Sequence, residues 1–452
     1  MAEPFQRRVT KRPGRGAPTQ RAASFVRDLI VAASVTMRRG IAPSSLLDLA
    51  HKRLQRWHRH ESGKLLNRRS FIAGSAACAA GALAAPARAA FNDTFISTAT
   101  IGVVGPFSGD AAKLGEQIGN GVRSAINDAN LIRGAMDRVY AMRTFDDQNL
   151  LANGLITAQY AVDDGSIDVA IGHLKGTITE QALQTYVNGH LPLIIPASTY
   201  DRLTTHGYGG VLRLETKDST EGNLGGSVVM QRVKPKSSVV LYQDGDYGID
   251  VAAGYHDRML KEKVDSKALR FPFDKPDYPA VSKAALSGNP DIIYLAGTAH
   301  DMGPMIKQLR ADGYTGPLYA SQGMFDGTIL EKYKDVAGEL LISSSFPPLN
   351  LAPSTFHIRQ NFEQKYGPMT PLAVFGYAAA QIAIAAIKRG AAADRLAAAR
   401  ALNYATEYDT IVGPVTFLGT GDPQDPNIYF YTIKDGKWLY VQAAHRSSFV
   451  LK

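Results

Sequence analysis

Thiols are almost missing from this 452-residue chain, which holds one cysteine, Cys78. A lone cysteine rules out an internal disulfide and any multi-thiolate zinc or iron–sulfur centre. Acidic residues are scarce over the first 89 positions, where only Glu3, Asp28, Asp48 and Glu61 stand against 17 lysines and arginines. The formal charge of +9 belongs to that end, because residues 90–452 carry 33 of the 50 basic and 37 of the 41 acidic side chains. The body is therefore mildly acidic, and it lacks a basic stripe interleaved with aromatics after Phe91. Nucleic-acid binding needs such a footprint, so no nucleic-acid partner is expected. Catalytic signatures are missing too. There is no G-x-S-x-G elbow, H-E-x-x-H, P-loop or G-x-G-x-x-G fingerprint, and no nucleophile, base and orienting-group set. These absences argue against an enzyme, a cofactor and a metal centre.

What is present begins with a leader. Asn67-Arg68-Arg69-Ser70-Phe71-Ile72 precedes an alanine-rich apolar run from Phe71 to Ala85, and Ala87-Arg88-Ala89 follows. This is the n-region, h-region and A-x-A order of an export signal, with cleavage expected after Ala89. The paired arginines followed by Phe71 resemble a twin-arginine signal, which implies delivery of a folded protein to the periplasm. An apolar run of about 15 residues is short of the roughly 20 that a spanning helix needs, against a permanent anchor. Lipid attachment at Cys78 is disfavoured because Ser75-Ala76-Ala77 lacks a Leu-like residue. Residues 1–66 read either as a disordered extension or as the result of a start placed too far upstream, with Met37 as the alternative.

From Phe91 onward, β-branched runs alternate with helical patterns, the signature of βαβ units around parallel sheets. The first series has strands at Thr100–Val104, Val139–Phe145, Ile167–Ile171 and Leu193–Pro196. Its first helix carries Leu114, Ile118, Val122 and Ile126 on one face. A second series after Glu215 has strands at Ser238–Tyr242, Ala268–Phe273, Ile292–Leu295 and Pro317–Tyr319. The fold class expected is α/β, with two doubly wound Rossmann-like lobes joined by a hinge. Residues 90–215 would form the first part of lobe 1 and 216–338 the first part of lobe 2. Residues 339–414 would return to lobe 1, and 415–452 would complete lobe 2. Near the end, Lys434-Asp435-Gly436 between two β-rich runs signals a hairpin turn.

Two such lobes face each other with the carboxyl ends of their strands, where open α/β sheets bind ligands. The loops expected to line that crevice are Gly105 to Gly109, Gly172 to Thr177, Pro196 to Tyr200 and Gln243 to Tyr247. Each sets Gly, Ser or Thr ahead of a helix, where free N–H groups attract anions. Taken singly, each is equally an N-cap or a tight turn. Asp146 and Asp147 suit a helix N-cap, and His173 suits a structural role at a strand end.

At this point a family resemblance emerges. The run Ile101 to Gly109, Asp146-Asp147, Ile171 to Leu174, Ile195-Pro196 followed by Ser198-Thr199, Asp246-Tyr247-Gly248 and Ile411 to Val415 together resemble the periplasmic leucine/isoleucine/valine-binding protein family, in order, across residues 98–445. The resemblance implies a type I periplasmic-binding-protein fold that closes on a small-molecule ligand and delivers it to ABC-importer permease subunits. It also implies ligand contacts from Ser198, Thr199 and Tyr247, to which the crevice loops add Ser108 and Ala197 as expected ligand residues. Other positions depart from the family pattern. A serine donor becomes Gly176, flanked by Lys175 and Thr177. An aromatic becomes Leu114 and a tyrosine becomes Thr298. The acid that meets a ligand ammonium becomes Gln322, with Asp326 nearby. The family's cysteine pair maps to Asn149 and Lys175. A buried ammonium without a carboxylate partner is costly, so Gln322 argues against a plain amino acid, while Lys175 favours a carboxylate. A monomeric transport receptor is expected, with an amide- or amino-acid-sensing receptor of the same fold as the alternative.

Overall fold

In the computed structural model the described residues are 97–134, 138–272, 277–338, 340–390, 395–402 and 407–445. The leader, Cys78 and the expected extension lie outside them. The buried β-branched run Ile101, Val103 and Val104 forms the heart of strand β1 (Thr98–Gly105). Helix α1 (Ala112–Ile132) buries Ile118, Val122 and Ile126 as their spacing predicts, but Leu114 at its start is 42% exposed. Alternation continues through β2 (Val139–Asp146), α2 (Leu151–Asp163), β3 (Ile167–Ile171), α3 (Gly176–Asn188), β4 (Leu193–Ile195) and β5 (Val211–Arg213). Every pairing in this five-stranded sheet is parallel, in the order β2-β1-β3-β4-β5.

The chain then crosses to a second sheet through α4 (Asp218–Arg232), a helix hidden in the sequence by three glycines. Gly222, together with Gly254 of the helix it meets, shows what such a glycine is for. A Cβ on Gly222 would lie 2.0 Å from the Val251 carbonyl oxygen, and one on Gly254 equally close to that of Ser219. The backbones of α4 and α5 (Asp246–Lys261) therefore touch through reciprocal glycines. The second series runs β6 (Ser237–Gln243), α5, β7 (Asp265–Phe271), α6 (Tyr278–Leu286), β8 (Ile292–Ala296), α7 (Ala299–Ala311), β9 (Leu318–Ala320), the short α8 (Gly327–Lys332) and α9 (Lys334–Ala337), and β10 (Leu340–Ser344). Its parallel strands stand in the order β7-β6-β8-β9-β10, the topology of the first sheet repeated.

Strand β10 corrects one boundary. It was expected to start the return to lobe 1 at residue 339, yet it pairs with β9 inside the second sheet. The chain crosses back only after Ser344. It then forms α10 (Phe356–Tyr366), α11 (Pro371–Gly390), α12 (Arg395–Leu402) and the small ribbon β11 (Tyr408–Thr410) and β12 (Gly413–Val415). Helix α11 is long and apolar enough to span a membrane, but most of it is buried in the lobe 1 core against α1. A third crossing leads to β13 (Asn427–Lys434) and β14 (Lys437–His445), antiparallel strands added to the edge of the second sheet beyond β10. Asp435 and Gly436 link them with φ of 51° and 68°, the left-handed pair that a two-residue hairpin turn requires.

Candidate functional site

In a sheet of this order the crevice opens where strand order reverses, between β1 and β3 in lobe 1 and between β6 and β8 in lobe 2. The loop after β1 is held by Asp146 at the end of β2. Its carboxylate accepts the N–H groups of Phe107 (2.8 Å) and Ser108 (3.2 Å) and the Ser108 hydroxyl (2.5 Å). Partial burial works against that charge, but the hydroxyl and backbone donors outweigh it and hold the carboxyl below its ordinary range. Neither Asp146 nor Asp147 caps α2, contrary to expectation; the residue before that helix is Leu150. Asp147 is buried and accepts from His173 Nδ1 at 2.7 Å, and His173 Nε2 meets the Tyr186 hydroxyl at 3.0 Å. Both ring nitrogens of His173 are thus engaged, and the ring is fully buried. It braces β3 rather than facing a ligand.

The loop after β3 leads into α3, whose first turn carries no side-chain cap. Lys175 is exposed, and Gly176 and Thr177 are partly so. Gly176 sits against the loop after β4: an added Cβ would lie 2.6 Å from Tyr200 Cβ and 2.7 Å from Ser198 Oγ. That is the physical reason for glycine where the resemblance implies serine. Ala197 packs on the lobe 1 core and Ser198 is buried. The carbonyls of Thr199 and Tyr200 accept from Arg213 Nη1 at 3.0 and 2.6 Å. Arg213 is fully buried, and its Nη2 lies 2.6 Å from Asp422, which also binds Lys217 at 2.8 Å. Burial raises the Asp422 pKa, but Arg213, Lys217 and Thr204 together pull it below the ordinary value. This charge network fixes the Ser198 to Tyr200 loop beside the first crossing.

In lobe 2 the structure gathers Tyr247, Gln322 and Gly323. The Tyr247 hydroxyl accepts the Gly323 N–H at 2.9 Å and donates to Glu221 at 3.4 Å. Glu221 also accepts the Gln322 N–H (2.6 Å) and the Ser343 hydroxyl (2.6 Å). The Gln322 side chain donates to Glu215 (3.3 Å) and accepts from the Ser345 hydroxyl (2.9 Å). Thr298 is exposed, and its hydroxyl donates to Asp301 at 2.9 Å. Asp326 is exposed and caps α8 through the Thr328 N–H. Leu114 and Thr298 take no part in this hydrogen-bond set.

The sequence reading missed three acids in this region. Glu215, Asp218 and Glu221 are all buried at the first crossing. Burial pushes Glu221 up to about 7, despite the Ser343, Gln322 and Tyr247 donors. Burial and the neighbouring Glu221 and Asp218 charges raise Glu215 well above its ordinary value. The available signal was the three-residue spacing from Glu215 through Asp218 to Glu221; the latter pair shares a helix face.

With this geometry in view, relatives give it a context. The Leu/Ile/Val-binding protein of Citrobacter freundii is 28% identical over 249 residues, covering 55% of this chain and 66% of that protein. The leucine-specific-binding protein of Salmonella typhimurium is 27% identical over 328 residues, covering 71% of this chain and 87% of that protein. The solved ABC transporter substrate-binding protein of Desulfitobacterium hafniense, in complex with Leu, is 25% identical with a TM-score of 0.66, covering 76% of this chain and all of that one. The family model described as periplasmic binding protein matches residues 98–437. That match spans both doubly wound lobes and every converging loop, and the chain belongs to the periplasmic binding protein family.

Proposed function

We propose that this protein is the extracytoplasmic substrate-binding component of an ABC importer of the branched-chain amino acid type. It acts as a monomer in the periplasm, after removal of the segment ending at Ala89, and performs no bond chemistry. Its two lobes close around a small polar ligand and present it to permease subunits. The observation that carries the ligand assignment is the first turn of α3, uncapped, flanked by exposed Lys175 and set against Ser198. Free helix N–H groups with a lysine beside them favour a carboxylate. Relatives named for leucine take a molecule bearing that group. At the first crossing, Glu215 and Glu221 are committed to Gln322, Ser343 and Tyr247, which favours a carboxylate without an α-ammonium, or an atypical amino-acid derivative.

The deciding measurement is a thermal-shift screen of the protein against aliphatic and aromatic carboxylates, amides, urea and branched-chain amino acids. A ligand that binds only the folded state raises the melting temperature. The expected result is a shift with carboxylates that lack an amine. A large shift with leucine and none with those carboxylates would sink the ligand assignment. Turnover of any ligand by the pure protein would remove the receptor reading itself.

A further inference from the structure

Among the described residues, one group of three carboxylates lies outside the ligand loops. Asp201, Asp218 and Asp250 each bring one oxygen within 4.8 Å of the others. They come from different parts of the fold. Asp201 opens a short 3-10 turn (Asp201–Thr204) after β4 in lobe 1, Asp218 is the first residue of α4 at the crossing, and Asp250 lies in α5 of lobe 2. Their wide separation in sequence explains why no metal-ligand spacing announced them.

The decisive feature is Asp218. It is 1% exposed, and its Oδ1 has no hydrogen-bond partner. A buried carboxylate oxygen without a donor is costly, and two further carboxylates beside it increase the cost. Asp201 already accepts the N–H and hydroxyl of Ser219. Lys217 binds Asp422 at 2.8 Å, and the largely exposed Arg202, 3.9 Å from Glu180, offsets only part of the charge at Asp250, whose carboxyl is still pushed up to about 6 by burial and the neighbouring Asp201 and Asp246.

We propose that Asp201, Asp218 and Asp250 form a calcium site that ties lobe 1 to lobe 2 beside the first crossing. The donors are all carboxylate oxygens, which selects a hard cation over zinc or copper. Oxygens on opposite sides of one calcium ion, each at 2.3–2.6 Å, stand up to about 5 Å apart, so this spacing is within a single ion's reach. Magnesium demands a tighter octahedral shell near 2.0–2.1 Å. A bound ion gives the stranded Asp218 oxygen its partner. It also fixes the turn that follows Ser198 to Tyr200 against the helix that begins beside Tyr247. Calcium then favours the closed arrangement and strengthens ligand binding reciprocally. This last coupling rests on the receptor reading; the ion site itself does not.

Calorimetric titration of the EDTA-treated full chain with calcium chloride, and separately with magnesium chloride, tests the site without any organic ligand. The expected result is one calcium per chain, with a dissociation constant on the order of 0.1–1 mM as in extracellular modules and magnesium roughly tenfold weaker. Asp250→Asn should weaken calcium by roughly tenfold or more, and its melting temperature in EDTA should equal or exceed that of the parent because a repelling charge is gone. Asp201→Asn, which keeps an acceptor for Ser219, provides a second variant. Absence of a calcium heat up to about 10 mM, tenfold beyond the expected range, overturns the site. Unchanged calcium binding by both variants does the same. If calcium binds as expected but a carboxylate from the thermal-shift screen binds equally well in EDTA, the ion site stands and its coupling to closure is overturned.

Discussion

Gly176 is a glycine because Tyr200 stands where its side chain would go: an added Cβ lies 2.6 Å from Tyr200 Cβ. Real Cβ contacts are not that close, so even a methyl group forces the α3 terminus away from the Ser198 to Tyr200 loop. Gly176→Ala should destabilise the protein by about 1–3 kcal/mol through overpacking. In a Tyr200→Gly background, which removes the opposing Cβ, the same change should lose much of that effect, giving a non-zero coupling in a double-mutant cycle. Urea unfolding of the four proteins measures it. Additive effects would show that the two positions do not constrain each other.

Glu221 makes a separate prediction about pH. Its carboxyl titrates near 7 in the folded protein against an ordinary value of 4.5, because burial outweighs its three donors. The folded state therefore holds a proton that the unfolded state releases between about pH 4.5 and 7. The stability contribution is fully present below the unfolded value and is lost as pH rises through the folded one. Glu215 and Asp218, also raised, act in the same direction. Melting temperature should fall between pH 5 and pH 8. Glu221→Gln should flatten the part of that fall that ends near pH 7, worth up to about 3 kcal/mol. A melting temperature that rises over this interval would contradict the assignment.

The fold was legible where local chemistry and tertiary role agree. β1, β3, β6 and β8 are β-branched runs buried on both faces, as parallel strands must be. The terminal hairpin was announced by Asp435-Gly436. Two features depended on contacts made far along the chain. Helix α4 contains three glycines, and its stability comes from the close approach of Gly222 and Gly254, which no helix propensity reports. β10 carries no mark of which sheet will take it. The site was legible at its loops but not in its connections. Ser198, Gly176, Tyr247 and Gln322 were placed by motif order. The partners Arg213, Glu215 and Glu221 were not, since an acid or arginine in sequence gives no sign of being buried.

Arg213 and Asp422 test how the first crossing is held. The arginine is fully buried, lies 2.6 Å from Asp422 and supports two carbonyls of the ligand loop. Removing the arginine leaves Asp422 with only the partly exposed Lys217 as a counter-charge and takes the donor from both loop carbonyls, so Arg213→Ala should cost about 3–5 kcal/mol. Arg213→Met combined with Asp422→Leu should recover much of that loss, because paired removal leaves no bare charge in the interior and the partly exposed Lys217 keeps access to water. Chemical denaturation of both variants decides. A double variant no more stable than Arg213→Ala would mean that the carbonyl contacts, not the ion pair, supply the stabilisation.

Lys175 separates the two sources of anion affinity at the α3 terminus. Its side chain is exposed and it precedes an uncapped helix start, so its charge and the helix N–H groups would act on the same carboxylate. Lys175→Gln removes the charge and leaves the backbone donors in place. A charge-assisted contact is worth about 1.5–3 kcal/mol, so affinity for a carboxylate ligand should fall roughly 10- to 100-fold. The melting temperature without ligand should hold, because exposed lysines contribute little to stability. The remaining affinity should depend less on ionic strength than that of the parent, since screening acts most on the exposed charge. Titration calorimetry at low and high salt measures both quantities. Unchanged affinity with the parent's salt dependence would assign the carboxylate to the helix terminus and Ser198 alone, and would remove the lysine from the site.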